Sequence, residues 1–182
     1  MADQVEGLLS GYLRKSRAEL ARPFLKGTIL DFGCGVGYLA GFVPNSKYIG
    51  VDRDRESLHV AKKNYPQHVF IEQLPPSGSY DTIIALAVIE HLPDPKALLS
   101  VLSALLAEGG KIIITTPHPV SDNVHWFGAK LGIFSRAAHE EHEHLFDKKS
   151  FNLILPASGL EILEYRRFLF GMNQLFVIGK NV

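Results

Sequence analysis

The chain has 182 residues, 46% hydrophobic and 21% charged, the proportions of a folded globular domain rather than a disordered or fibrous chain. Nineteen Lys and Arg balance nineteen Asp and Glu, which argues against a surface built to grip the phosphates of a long nucleic acid. Cys34 is the single cysteine and cannot make an internal disulfide, so a reducing cytoplasm is expected, and the longest apolar run, Ile83 to Ile89, is far short of the roughly 20 residues of a bilayer span.

Short β-branched runs alternate with helical patterns, the rhythm of an α/β fold with a mainly parallel sheet. Val5, Leu8, Leu9, Tyr12, Leu13 and Leu20 recur near helical spacing in an opening helix, which Gly7 and Gly11 weaken and Pro23 closes. Strands are expected at Thr28 to Phe32, Lys47 to Val51, His68 to Ile71, Tyr80 to Leu86 and Lys111 to Thr116. Asp54 can cap a helix running through Lys63, with Leu58 and Ala61 toward the sheet. A later helix has Asp94 as N-cap, Pro95 at its first position, Leu98, Leu102 and Leu105 on its apolar face, and Gly109 as terminator.

After Thr116 the rhythm breaks for about thirty residues, so one domain, 1–182, is expected to carry a lid-like insertion at about 117–146. Val124, Phe127, Leu131 and Phe134 follow helical spacing inside it. Asp147 to Leu155 reads as a further helix stopped by Pro156. Leu160 to Phe168 and Gln174 to Gly179 then flank the turn signal Gly171-Met172-Asn173, which predicts a terminal antiparallel hairpin and seven strands in all.

Asp31-Phe32-Gly33-Cys34-Gly35-Val36-Gly37 lies where the first strand ends, and glycine at three alternating positions lets a backbone turn sharply and approach a ligand. A helix starting after it would aim free amides at an anionic group, phosphate or carboxylate. A dinucleotide fingerprint, G-x-G-x-x-G, would place its third glycine at the position of Tyr38, so NAD is disfavoured. Asp52 ends the second strand about twenty residues after the first glycine and can accept both ribose hydroxyl hydrogens of an adenosine ligand.

Ile29 to Gly37, Ile49-Gly50-Val51-Asp52, Tyr80-Asp81 and Glu90-His91-Leu92 together resemble the class I S-adenosylmethionine-dependent methyltransferases over nearly the whole chain. Glu90 to Pro95 and His144-Leu145-Phe146 look like the small-molecule branch that includes quinone-precursor O-methyltransferases. The resemblance implies a Rossmann-like three-layer sandwich, with a seven-stranded, mainly parallel sheet whose last strand is antiparallel. It also implies S-adenosylmethionine as cofactor. Asp31, Gly33, Cys34, Gly35 and Gly37 would surround the methionine end, met by backbone groups, Asp52 would hold the ribose, and Arg53 would also contact the cofactor. Ile71 and Glu72 would rim the adenine, and Leu86 and Ala87 would lie beside the sulfonium. Ala85-Leu86-Ala87-Val88 replaces the Asn/Asp-Pro-Pro-Tyr signature of many amino-methylating relatives, which argues against adenine-base and glutamine methylation.

Methyl transfer is a one-step displacement that asks chiefly for alignment and exclusion of water. If the acceptor is a hydroxyl, His91 or His118 could remove its proton, or His144 from the insertion. The same residues have plainer uses: His91 as a cap or buried support for the next helix, His118 as a rigid loop residue between two prolines, Cys34 as a compact apolar filler. His139 to His144 matches no known metal spacing, and Ala87 stands where quinone-precursor enzymes carry the first acid of an ion site, so no metal is expected. Val124, Trp126, Phe127, Leu131 and Phe134 could roof an aromatic or lipidic acceptor or simply pack the insertion on the core. The expected activity is methyl transfer to a small-molecule acceptor; the rivals are a non-catalytic adenosine-cofactor-binding protein, an RNA methyltransferase and an NAD-linked oxidoreductase.

Overall fold

The structure, a computed structural model, describes residues 2–44, 47–120 and 146–181, with side chains from residue 11 onward. The side chains of Val5, Leu8 and Leu9, and the insertion positions Val124, Trp126, Phe127, Leu131, Phe134 and His139 to His144, lie outside the described residues. The chain runs through α1 (Ala2–Ala21), β1 (Ile29–Phe32), β2 (Tyr48–Val51), α2 (Arg55–Asn64) and β3 (Val69–Ile71). It continues through β4 (Tyr80–Leu86), α3 (Pro95–Leu105), β5 (Leu106–Pro117), α4 (Lys148–Ile154), β6 (Leu160–Phe168) and β7 (Asn173–Lys180). Among the described residues no helix is long and apolar enough to cross a membrane.

The strands form one sheet in the order β3-β2-β1-β4-β5-β7-β6. Strands β1 to β5 pair in parallel, and β7 is antiparallel to both β5 and β6, the arrangement the sequence led us to expect. Side-chain alternation divides the core into two layers. Ile83, Ile112 and Ile114 pack with Leu98, Leu99 and Leu102 of α3 and Phe151 of α4. Ile84 and Ile113 face the other way, onto Ala18 and Ala21 of α1 and Leu58 and Ala61 of α2. The sheet is thus sandwiched between α3 with α4 and α1 with α2.

The helix signals act as expected. Asp54 accepts from the amides of Glu56 and Ser57, and Asp94 from that of Ala97, satisfying donors that a helix start leaves free. Asp147 forms a reciprocal capping box with Ser150 at α4. At the start of β4, Asp81 accepts from Thr28 N at 2.7 Å and Thr28 Oγ1 at 2.9 Å, tying it to the entry of β1.

Three expectations need correction. Gly109 does not terminate α3, which ends at Leu105. The chain passes directly into β5, and Gly109, with φ of 69°, sits where the β4–β5 register shifts between Tyr80 and Thr82. The helix before Pro156 ends at Ile154, a residue short of Leu155, and Leu155 instead opens a 3-10 turn, Leu155–Ser158, in whose first turn the missing amide of Pro156 is no loss. The helix expected after the glycine loop is a five-residue 3-10 run, Tyr38–Phe42, containing Gly41, a poor helix former, and followed closely by Pro44.

Candidate functional site

A cleft of about 230 Å³ opens beyond the carboxyl ends of β1 and β4. These adjacent strands are where the sheet order reverses: the chain leaves β1 for β2 on one side and β4 for β5 on the other. Diverging connections leave a crevice at such a point, the common ligand position in open α/β sheets. Asp31, Gly33, Cys34, Gly35 and Val36 line it from the end of β1. Leu86 and Ala87 line it from β4, Tyr38 and Leu39 from the 3-10 run, and Arg14, Arg17 and Ala18 from α1.

The glycine loop is held largely by its own fold. Gly33 N and Cys34 N donate to Val51 O at 2.8 and 3.0 Å, Gly37 N to Cys34 O at 3.0 Å, and Gly35 N to Asp52 Oδ2 at 2.7 Å. Of the amides from 33 to 37, only that of Val36 has no such partner among the described residues. The expected array of free amides is therefore mostly spent, and the short 3-10 run supplies little of a helix dipole.

The glycines divide the work. Gly33 has φ of 76°, and a Cβ there would lie 2.3 Å from Val88 Cγ2, so the loop can pass the segment after β4 only without a side chain. A Cβ on Gly37 would press on Phe70 and Ala61 at 3.0 and 3.2 Å, an internal packing demand. Gly35 is different: it lines the cleft, has φ of 52°, and meets nothing within 4 Å of its Cβ position. Across the cleft Ala87 also holds a left-handed backbone, φ 56°, while its amide donates to Thr115 O at 2.8 Å. Non-glycine residues adopt that conformation at a cost of a few kcal/mol at most, typically about 1 to 3, and often at functional clefts.

Burial and charge tune the acid at the cleft floor. Asp31 is 3% exposed. Burial pushes its carboxyl up to about 7, a hydrogen bond from Tyr48 Oη to Oδ2 at 2.5 Å pulls it back, and the charge of Asp52 adds to the rise. Burial also raises the Cys34 thiol, with Asp31 and Asp52 adding to the effect, so this cysteine is an unreactive filler as its plainer reading held. Asp52, at the cleft edge, accepts from Gly35 N and, through Oδ1, from Asp54 N at 2.9 Å, coupling the end of β2 to the loop after β1.

Two cations of α1 were not singled out in the sequence. Arg14, Arg17 and Ala18 follow i, i+3, i+4 spacing, the signal of a shared helix face, but arginines on such a face read first as solvent contacts. Arg17 donates through Nε and Nη2 to Asn173 Oδ1 at 3.3 and 3.0 Å. Burial lowers its guanidinium from the ordinary value, while the charge of Glu90 opposes the fall. Glu90 itself is fully buried, and burial raises its carboxyl against the pull of its own backbone amide, Arg17 and His91.

Asp31, Gly33, Cys34, Gly35, Leu86 and Ala87 thus meet at the cleft. Gly37, Asp52, Arg53, Ile71, Glu72, His91 and His118 are not among its lining. Glu72 lies beside α2, where Oε2 accepts from Arg55 Nε at 3.0 Å. His118 Nδ1 accepts from Val120 N at 3.1 Å, and burial, then the charge of Arg167, lowers its imidazole, which keeps it neutral near pH 7. Among the described residues no group of three or more His, Cys, Asp or Glu could hold a metal ion.

Residues 5–165 match the family described as Methyltransferase domain. A ubiquinone biosynthesis O-methyltransferase of Idiomarina loihiensis is 34% identical over 171 residues, 84% of this chain and 69% of that protein. One of Psychrobacter arcticus is 30% identical over 126 residues, 61% of this chain and 49% of that protein, so the chain spans about half the length of the first curated relatives it matches. Among solved structures, magnesium protoporphyrin IX methyltransferase from Synechocystis PCC 6803 with bound SAH shares the fold at a TM-score of 0.69 and 20% identity, covering 94% of this chain and 83% of that one. A family match across most of the chain agrees with the glycine loop, the acid after β2 and the sheet order, and the chain belongs to the class I S-adenosylmethionine-dependent methyltransferases.

Proposed function

We propose that this chain binds S-adenosylmethionine at the β1–β4 crevice and transfers its methyl group to a small-molecule acceptor, with S-adenosylhomocysteine as the second product. The charge layout of the cleft carries the reading: Asp31, Arg14 and Arg17 line one space with Gly35, whose Cβ position meets nothing within 4 Å. That is the complement of an α-amino acid zwitterion, with an acid for the ammonium and a cation for the carboxylate. Gly33, Cys34, Gly35 and Gly37 shape the floor. Asp52 and Arg53 take the ribose at the cleft edge, Ile71 and Glu72 rim the adenine beyond it, and Leu86 and Ala87 flank the sulfur. When bound, the cofactor supplies an electrophilic methyl sulfonium.

The chain's own part is to align an acceptor and exclude water. If the acceptor is a hydroxyl, His91 or His118 takes its proton; an acceptor that needs no base leaves alignment as the whole of the chain's part. The names of the relatives, ubiquinone biosynthesis O-methyltransferases, support an oxygen acceptor on a quinone precursor, and the balanced charge favours a small molecule over RNA. Calorimetric titration of the protein with S-adenosylhomocysteine and with NAD tests the cofactor, and screening phenols, catechols, carboxylates, amines and lipid-linked quinone precursors for methylated product tests the acceptor. The first ligand should bind and the second should not. Tight NAD binding without affinity for S-adenosylhomocysteine overturns both cofactor and reaction.

A further inference from the structure

Asp31 borders the cleft, yet what holds its carboxylate comes from beneath. Tyr48 opens β2 and pairs with Ile29, two residues before Asp31, which itself pairs with Gly50. The phenol and the carboxylate are therefore diagonal neighbours across β1 and β2, within reach of a long side chain leaning along the strand. Gly50 on β2 leaves the space beside that diagonal to Phe70 and Cys34. A Cβ at that position would lie 2.6 Å from Phe70 Cδ1 and 2.8 Å from Cys34 Sγ. The Tyr48 ring is buried edge-on against His68 at 5.3 Å and Phe70 at 5.9 Å, so its hydroxyl has a fixed position. It donates to Oδ2 at 2.5 Å, and Oδ1 takes no hydrogen bond from any described residue.

We propose that Tyr48 is a positioning residue for cofactor recognition: its hydroxyl holds Oδ2 of Asp31 as a carboxylate and leaves Oδ1 for the cationic amine of the ligand. The proposal rests on the cofactor reading given above. A donated hydrogen bond favours the charged form of an acid that burial works to neutralise. The other groups around Asp31 are Asp52 after β2, whose charge opposes ionisation, the Cys34 thiol of the glycine loop, and Arg14 and Arg17 of α1 on the same cleft. From β4 the paired residue is Ile84, which carries no charge. Among the described residues Tyr48 is thus the one neutral donor that touches the carboxylate, and removing it alters ionisation without altering the charge of the site.

The experiment compares wild type with Tyr48→Phe, following Asp31 by carboxyl-carbon NMR in the free protein and S-adenosylhomocysteine affinity by calorimetry from pH 6 to 9. The Asp31 midpoint should rise by about one pH unit in the variant, the size expected for losing one hydrogen bond to a charged group. Affinity should then be roughly ten-fold weaker than wild type at pH 6 and within about two-fold at pH 9, where both carboxyls are ionised. A purely structural role for the phenol predicts the same loss at every pH, and that result, or an unmoved midpoint, overturns the proposal. Incorporation of 3-fluorotyrosine at position 48 keeps the ring and strengthens the donor, so the midpoint should fall; it serves if Tyr48→Phe does not fold. Wild-type protein that binds no S-adenosylhomocysteine at any pH would instead overturn the cofactor reading.

Discussion

Removing the Asp52 carboxylate should cost both stability and cofactor affinity, and the structure says how to separate the two. In the protein alone this side chain already accepts from Gly35 N at 2.7 Å and Asp54 N at 2.9 Å. A hydrogen bond to a charged acceptor contributes about 1.5–3 kcal/mol when shielded, and water reaches this half-exposed group, so Asp52→Ala should lose about 2 kcal/mol of folding stability from the pair. Ribose hydroxyls bonded to the same carboxylate should add about 2 kcal/mol of lost affinity, close to thirty-fold. Affinity alone is ambiguous, because a loosened Gly35 would also weaken binding. A double-mutant cycle resolves it: S-adenosylhomocysteine and its 2′-deoxy analogue are titrated into wild type and Asp52→Ala, with stability read from denaturant melts. Direct contact predicts a coupling of about 1–2 kcal/mol between the carboxylate and the missing hydroxyl. Additive losses would mean that Asp52 acts only through the loop, and the ribose assignment would be wrong.

Two further outcomes follow from the same geometry. Gly33→Ala must hold φ near 76° and drive a methyl to 2.3 Å from Val88 Cγ2, so about 2–4 kcal/mol of stability should be lost in denaturant melts, and Val88→Ala in the same chain should restore the steric part but not the backbone part. The raised Asp31 carboxyl makes the native state bind a proton that the unfolded chain releases, so stability should fall as pH rises from 3.8 to about 7 and level above it. Asp31→Asn removes that titration: relative to the variant, wild type should lose about 4 kcal/mol across this window, and parallel pH–stability curves would contradict it.

Most of the fold was legible because buried parallel strands announce themselves. Ile29-Leu30, Ile83-Ile84 and Ile112-Ile113-Ile114 are continuous apolar runs since both faces of the sheet are covered, and the limits of their strands differ from the expected ones by at most a residue, apart from β5. Strand β5 begins earlier than its apolar run because Leu106 already pairs with Tyr80 and Gly109 and Gly110 fall in the register shift before Lys111 meets Thr82, and glycines after a leucine-rich helix look the same whether they end a helix or bend a strand. The 3-10 run at Tyr38–Phe42 was missed for a related reason: a glycine loop after a strand suggests a helix, while Gly41 and Pro44 act only on its length.

The cleft was legible where a residue speaks through its own backbone and hidden where it speaks through a partner. Gly35 and Asp31 could be placed because spacing after β1 fixes them. Arg14 and Arg17 could not, since a charged helix face points to solvent until the sheet order brings α1 over the crevice. Tyr48 was hidden more deeply: an aromatic opening a strand is an ordinary core residue, and only the register Ile29 to Tyr48 turns it toward Asp31. The three glycines make the point in one motif. Val88 demands the first and Phe70 the third, so both would be needed by this fold with no ligand at all; only Gly35, facing open space, carries information about what binds. The early third glycine is accordingly a packing signal: without a side chain Gly37 lies against Phe70 of β3 and Ala61 of α2, so its place in the motif reports on how the loop seats on the fold rather than on the cofactor.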